Sequence, residues 1–556
     1  MVLFEYALLS VSYVEEMLTL KDGVNDPITF EVLKNALGAI ADEMGIVLRR
    51  SSYSPNIKER KDFSCALFDS DGRLVAQAEH IPVHLGAMPH SVRTLLREFK
   101  DDIHEGDVFI LNDPFHGGTH LPDITIAHPI FYNHKLVAFA VNRAHHSDIG
   151  GSTPGSMSPL STDVHQEGVL IPPTKLVDQG RLNKPFLAFL LSNVRTPKER
   201  LGDLRAQEAA NTVGMRRMVD LCQKYGIKTI TLCLDRLLEY SRRLMLNEIR
   251  RLPRGSFSAV DYLDDDGYET RNIPIKVKLT ITNAGLDFDF TGSSKQVHGA
   301  VNAVYSITMS AAYYVVRCVT DPSIPANEGC FRPVTVVAPK GTIVNAQPPS
   351  AVAGGNVETS QRIVDVALKA FSQVAPERVC AACQGTMNNL TIGGIHPMTG
   401  QYFAYYETIA GGFGARQNKD GIDGIHSHMT NTMNTPIEAL EAAYPFRVRS
   451  YMLAEGTGGN GRFRGGMGVI RDIELLNDNS IVTLFGDRQT NNPWGLKGGL
   501  DGQGGQYRLI RGNTKPATLR SKCVVRTRYG DVVSIRTPGG GGYGNPGRPS
   551  MKYQNG

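Results

Sequence analysis

No stretch of this 556-residue sequence approaches the ~18 consecutive apolar residues of a membrane span. Lys and Arg are nowhere concentrated into a block, and the net charge of +4 is spread along the chain. Nucleic acid and membrane surfaces are therefore not expected partners. Cysteine is scarce, with eight residues scattered from Cys65 to Cys523. That excludes a disulfide framework and makes a reduced, cytoplasmic chain the expectation. Cys380 and Cys383 form a single Cys-x-x-Cys. A zinc site normally adds a second such pair or a nearby pair of histidines, so the plainer reading is two buried small residues at a helix end. The phosphate loop Gly-x-x-x-x-Gly-Lys-Ser/Thr and the nucleophile elbow Gly-x-Ser-x-Gly are both missing, so no common motif speaks for an ATP site on this chain. Residues 1–25 contain Glu5, Glu15 and Glu16 and no basic start, and read as an N-terminal extension rather than a signal peptide.

What is present is ordinary globular composition, 41% hydrophobic and 21% charged, in a chain too long for one domain. Asp26-Pro27 opens a helix whose apolar residues Phe30, Leu33, Leu37, Ile40, Met44 and Val47 recur every three or four positions. A hairpin follows, Ser64 to Phe68 and Arg73 to Ala78 around Asp69-Ser70-Asp71-Gly72, then a helix from Pro89 to Phe99 and a strand from Val108 to Leu111. A second hairpin pairs Ile124–Phe131 with Leu136–Ala144. Charged helices over 197–225 and 230–251 lead to a β segment over 256–290 and apolar helices over 301–319 and 358–374. Glycine becomes dense after Gly456, and the end from Thr537 to Pro546 reads as a turn-rich tail. The fold class is α+β, multi-domain, with mixed helices and largely antiparallel sheets. The expected units are an α+β metal-binding domain over 26–255, a central α+β domain over 256–455 and a β-rich part over 456–556.

The strongest chemistry lies in Asn112-Asp-Pro-Phe-His-Gly-Gly-Thr-His120-Leu-Pro-Asp123 and Asn142-Arg-Ala-His145-His146-Ser-Asp148. If the second hairpin turns near residues 133–134, paired positions sum to roughly 267, and Asp123 lies opposite Ala144 or His145. His120 precedes Asp123 by three residues in a proline-containing loop that can bend back. Two imidazoles and a carboxylate with open positions suit a catalytic divalent metal such as Zn, Mn or Fe. Water on such a metal ionises near neutral pH. His146, Asp148, His165 and Glu167 are further candidates as ligands, supporting partners or a proton shuttle. His146 alternates in direction from His145, so at most one of the two reaches the metal.

Other segments carry weaker signals. Gly456-Thr-Gly458-Gly-Asn-Gly461 has dinucleotide-loop spacing but precedes a strand rather than a helix, so a turn is the better reading. Gly354-Gly-Asn-Val-Glu-Thr-Ser360 opens a helix whose N–H groups could hold an anion, though a capped loop is the stronger expectation. Gly411-Gly-Phe-Gly-Ala-Arg416, with His426 and His428 nearby, reads as a mobile loop that could line a pocket.

These stretches, with Arg60-Lys-Asp62-Phe-Ser-Cys, Asn193-Val-Arg-Thr-Pro, Phe290-Thr-Gly-Ser-Ser and Thr537-Pro-Gly-Gly-Gly-Gly-Tyr-Gly, give the chain its resemblance to the hydantoinase B family. That family includes N-methylhydantoinase, 5-oxoprolinase and caprolactamase B-type subunits and the related acetone carboxylase large subunits. The resemblance spans about residues 26 to 547. It implies a metal on His120, Asp123 and His145 with Asp62 as a further ligand, and Asp62 rests on the resemblance alone. It also implies a hetero-oligomer in which a hydantoinase A-type subunit holds ATP and Mg and phosphorylates a small cyclic amide. Metal-activated water on this chain would then open the ring. The alternatives are a component of an ATP-dependent ketone carboxylase and a non-catalytic scaffold.

Overall fold

The computed structural model describes residues 26–78 and 80–547, so the N-terminal extension inferred for residues 1–25 lies outside the described residues. Helix α1 (Pro27–Ser51) starts where Asp26 accepts the N–H groups of Ile28 and Thr29 at 3.0 and 3.1 Å. Its stripe from Phe30 to Met44 is buried, and Leu48 rather than Val47 completes it.

Seven strands build the sheet that carries Asp123 and His145. They are β1 (Phe63–Asp69), β2 (Leu74–Gln77), β3 (Val108–Leu111), β4 (Asp123–Tyr132), β5 (Lys135–His145), β6 (Thr174–Asp178) and β7 (Arg181–Leu182). Their spatial order is β2-β1-β5-β4-β3-β6-β7, with every pairing antiparallel. Helices α2 (Met88–Phe99), α3 (Pro197–Tyr225) and α4 (Ile227–Arg250) follow the expected segments closely. Ala206, Ala210 and Met218 of α3 share an apolar cluster with α1, β1 and β5. The helix is also keyed to the sheet by polar contacts. Gln207 Nε2 donates to the Ile124 carbonyl and Asn211 Nδ2 to the Ile126 carbonyl, both at 2.9 Å. Because these groups are buried, losing either contact would strand a polar atom away from water.

A second sheet comprises β8 (Gly255–Asp265), β9 (Arg271–Ile281), β10 (Leu286–Asp289) and β11 (Val334–Val337), in the order β11-β10-β9-β8. Its β10–β11 pair is parallel. Helices α5 (Tyr305–Val319) and α6 (Ser360–Phe371) are buried as expected, but α6 is preceded by a π-helical turn over Gly355–Thr359. Two further antiparallel sheets form from β12 (Asn389–Ile395), β13 (Tyr402–Glu407), β14 (Phe446–Ala454), β15 (Gly468–Leu475), β16 (Ile481–Phe485), β17 (Gln506–Ile510), β18 (Ala517–Leu519), β19 (Lys522–Arg526) and β20 (Val532–Arg536).

The apolar clusters cross the boundaries drawn from composition. One runs from Ile81 through Ile275 and Val364 to Phe485, and another joins Leu390 and Tyr405 to Ile473 and Ile535. The two glycine-rich segments also differ from the sequence reading. The segment 411–416 is laced by backbone hydrogen bonds from Gly412 N to Pro538 O and from Ala415 N to Gly541 O. It is therefore an integral layer rather than a free loop, and the C-terminal glycines pack against it. A Cβ on Gly412 would lie 2.1 Å from the Gly466 carbonyl, and one on Gly540 would lie 2.3 Å from the Phe413 carbonyl. Glycine is required there by close backbone approach. No helix among the described residues is long and apolar enough to cross a membrane.

Candidate metal centre

Asp123 is the first residue of β4 and His145 the last of β5, and the ladder places them directly opposite. Near the turn Tyr132 pairs with Lys135, but an irregularity between Ile130 and Phe131 moves the register by one. That shift selects His145 over Ala144 as the partner of Asp123. The loop before β4 closes on itself, with Asp123 N donating to His120 O at 3.1 Å. His120 is thereby turned back over the strand ends.

The three side chains converge. His120 Nε2 lies 3.1 Å from Asp123 Oδ1 and 3.1 Å from His145 Nδ1, and His145 Nδ1 lies 3.2 Å from the same Asp123 oxygen. All three residues are buried. The second oxygen of Asp123 faces His84 Nε2 at 3.4 Å and accepts from the Thr119 hydroxyl. His84 is itself set by Ser64 Oγ, 2.9 Å from its Nδ1. Burial would raise the Asp123 carboxyl, but His120 and His84 overcome it and hold the group well below the ordinary carboxylate range. Burial lowers His145 and so favours the neutral imidazole that a metal requires.

Asp62 contributes at one remove. Its carbonyl accepts from His145 N at 3.0 Å. It lines, with His145, Asp123, His84, Asn356 and Tyr406, a cavity of about 20 Å³. That space suits an ion or a single water and is smaller than a cyclic amide. Tyr406 stacks on His145 with centroids 4.3 Å apart, and its hydroxyl donates to Asn389 Oδ1 at 2.9 Å. Asn356 Nδ2 lies 3.0 Å from His120 Nε2.

The residues fit a cation. Two nitrogens and one carboxylate oxygen point at one another within hydrogen-bond distance. His145 Nε2 and Asn356 Oδ1 are buried without a hydrogen-bond partner. Two imidazoles crowded on one carboxylate oxygen are a donor set for a divalent metal.

The other expected site residues are not gathered here. His146 points to α3, with Nε2 2.9 Å from Gln207 Oε1, and burial with Arg200 nearby pushes it down to about 4. Asp148 organises a loop, accepting Gly150 N and Gly155 N at 3.0 Å and Arg195 Nη1 at 2.9 Å. His165 is exposed on a short 3-10 turn. Glu167 is buried, and its Oε1 accepts Val352 N and Ala353 N at 2.9 Å. It thus fills one carboxylate-sized position beside the glycine loop whose N–H groups could hold an anion. His84 and Tyr406 had no sequence signal, since their contacts with the centre span long chain separations, whereas Asn356 lies in the Gly354–Ser360 stretch, which reads in sequence as a possible anion site rather than as part of this centre.

A buried centre of two histidines and a carboxylate, set on the end of an antiparallel hairpin in a multi-sheet α+β chain, defines a candidate metalloenzyme component. Residues 26–546 match the hydantoinase B/oxoprolinase family, and the chain belongs to that family. It is 46% identical to an uncharacterized protein of Methanocaldococcus jannaschii, over 94% of this chain and 91% of that one. It is 34% identical to a Pseudomonas protein named as the B-type subunit of a D-/L-hydantoinase, over 94% and 90%. Against 5-oxoprolinase 1 of Arabidopsis thaliana it is 38% identical over 95% of this chain but spans only 42% of that protein. The ATP-dependent caprolactamase of Pseudomonas jessenii superposes with a TM-score of 0.88 at 30% identity, covering 95% of this chain and 92% of that one. An acetone carboxylase shares the fold, with a TM-score of 0.87 at 20% identity over 94% and 76%.

Proposed function

We propose that this chain is the metal-holding component of an ATP-dependent enzyme that opens a cyclic amide of the hydantoin, 5-oxoproline or lactam type. The observation that carries the reading is the convergence of His120, Asp123 and His145 in a chain of this family. ATP and Mg are assigned to an A-type partner, in keeping with the similarity to a B-type hydantoinase subunit and with the match to only part of 5-oxoprolinase 1.

His120, Asp123 and His145 would hold the metal, with Asp62 facing the same cavity. A divalent Zn, Mn or Fe ion bound there supplies Lewis-acid polarisation and lowers the pKa of a coordinated water. The chain's own residues do the rest. Asp123 offers one oxygen to both imidazoles, while His84 and Thr119 fix its other oxygen and so the plane of the carboxylate. Tyr406 holds the ring plane of His145 by stacking. Asn56 Nδ2 donates to the His145 carbonyl at 2.6 Å, which anchors the strand end. Burial excludes bulk water, which strengthens every charge interaction at the centre. The small cavity requires its wall at Met387 and Met429 to yield before a ring can enter.

The test is coupled turnover of His120→Ala with the partner, ATP and a panel of cyclic amides. The reading expects ring opening to be lost while the partner still binds ATP. Unchanged turnover contradicts it, and bicarbonate-dependent carbon–carbon bond formation on a ketone would replace it with the carboxylase reading.

A further inference from the structure

A second group of potential ligands lies outside the centre described above. Cys380 and Cys383 sit between α6 and β12, and His428 lies in the segment that follows the 411–416 glycine layer. Their ligand atoms are all within 4.8 Å of one another, and all three residues are buried. The sulfurs are 4.0 Å apart. Tetrahedral zinc with Zn–S bonds of about 2.3 Å separates two sulfurs by roughly 3.8 Å. The observed spacing leaves room for one ion between the two sulfurs and is far from the ~2.05 Å of a disulfide.

Two further observations point to a ligand. Both ring nitrogens of His428 are buried; Nε2 faces only the Asp365 carboxylate and Nδ1 has no hydrogen-bond partner, which is costly unless something else satisfies it. Asp365 of α6 places Oδ1 3.4 Å from His428 Nε2, the position of a carboxylate that orients a metal-binding imidazole. Asp365 Oδ1 also lacks a hydrogen bond, while Oδ2 is held by Arg488 Nη2 at 2.6 Å. Gly414 N donates to Cys383 Sγ at 3.4 Å.

We propose that Cys380, Cys383 and His428, with Asp365 beside them, form a second, structural zinc site. Soft thiolates with an imidazole select zinc over the hard cations that prefer oxygen. The site ties α6 and the nearby 380–383 stretch to the loop carrying His428, which is distant from both in sequence. Met429 and Thr430, next in that loop, line the cavity of the first centre, and Met429 O accepts from Val83 N at 3.3 Å. The second ion thus braces a wall of the first centre. This assignment rests on no part of the cyclic-amide reading.

The experiment is elemental analysis and cobalt substitution of the full chain, beside Cys380→Ser/Cys383→Ser and, separately, His120→Ala/His145→Ala. About one zinc per chain is expected to vanish in the serine variant and to survive in the histidine variant. Cobalt-loaded wild type should show thiolate-to-cobalt charge-transfer absorption, which an imidazole–carboxylate centre cannot produce. That spectrum needs no variant, so it decides the matter even if the serine chain does not fold. Cobalt bound without the sulfur band, or Cys380 and Cys383 recovered as a disulfide in metal-replete protein, overturns the site. Loss of metal from the first centre with the sulfur band retained supports both sites independently.

Discussion

Glu167→Gln is the perturbation whose effect is most readily worked from the structure. Glu167 is fully buried and accepts the N–H groups of Val352 and Ala353, whose segment places Ala353 O 3.4 Å from His120 Nδ1. Burial, only partly offset by those two N–H groups, pushes its carboxyl up to about 8, against an ordinary value of 4.5. Between those two values the folded chain keeps a proton that the unfolded chain has released. Stability therefore falls as pH rises through this window. Once both states are ionised, above about 8, the loss reaches about 5 kcal/mol at ~1.36 kcal/mol per pKa unit. Glutamine preserves the accepting oxygen and removes the ionisation. At pH 5 the variant is expected within about 1 kcal/mol of wild type. At pH 9 it should be the more stable chain by roughly 3–5 kcal/mol. Denaturant unfolding followed by the fluorescence of Trp494 at the two pH values measures the difference. Equal pH dependence in the two chains would refute the argument that Glu167 is held neutral.

Gly466→Ala should destabilise the chain by about 3 kcal/mol or more, because its Cβ would lie 2.0 Å from the Ile422 carbonyl; a thermal melt reads this out. Arg471→Met should cost about 3–5 kcal/mol, since it leaves Glu407 buried without the guanidinium 3.0 Å away, and Glu407→Gln in the same chain should restore part of the melting temperature. His146→Leu removes a contact to Gln207 and should leave metal stoichiometry unchanged, as checked by elemental analysis; loss of the metal would move His146 into the centre.

Local pattern revealed those parts of the site that lie on one hairpin. Strand alternation and a turn position were enough to bring Asp123 opposite Ala144 or His145, and a single irregularity near Phe131 decided between them. Asp62 came from family resemblance, because β1 reaches β5 through a pairing that no local spacing encodes. His84 and Tyr406 were invisible for the same reason: long-range packing sets their positions, and each belongs to an unremarkable local pattern. Asn356 stands in a glycine-rich helix start that reads as an anion site, and only packing reveals it beside His120. The Cys-x-x-Cys looks incomplete in the sequence because its imidazole lies 45 residues downstream, in a glycine-rich stretch that reads as loose. That stretch, like the C-terminal glycines, is ordered by backbone layers stacking on one another, an interaction that leaves no side-chain periodicity to read.

Metal content addresses the central claim most directly. Purified wild type, analysed beside His120→Ala/His145→Ala, should lose about one Zn, Mn or Fe ion per chain in the variant while the fold is kept. Equal metal content in the two chains, or none at the first centre after growth with added metals, would contradict the account and leave His120, Asp123 and His145 as a buried hydrogen-bonded cluster.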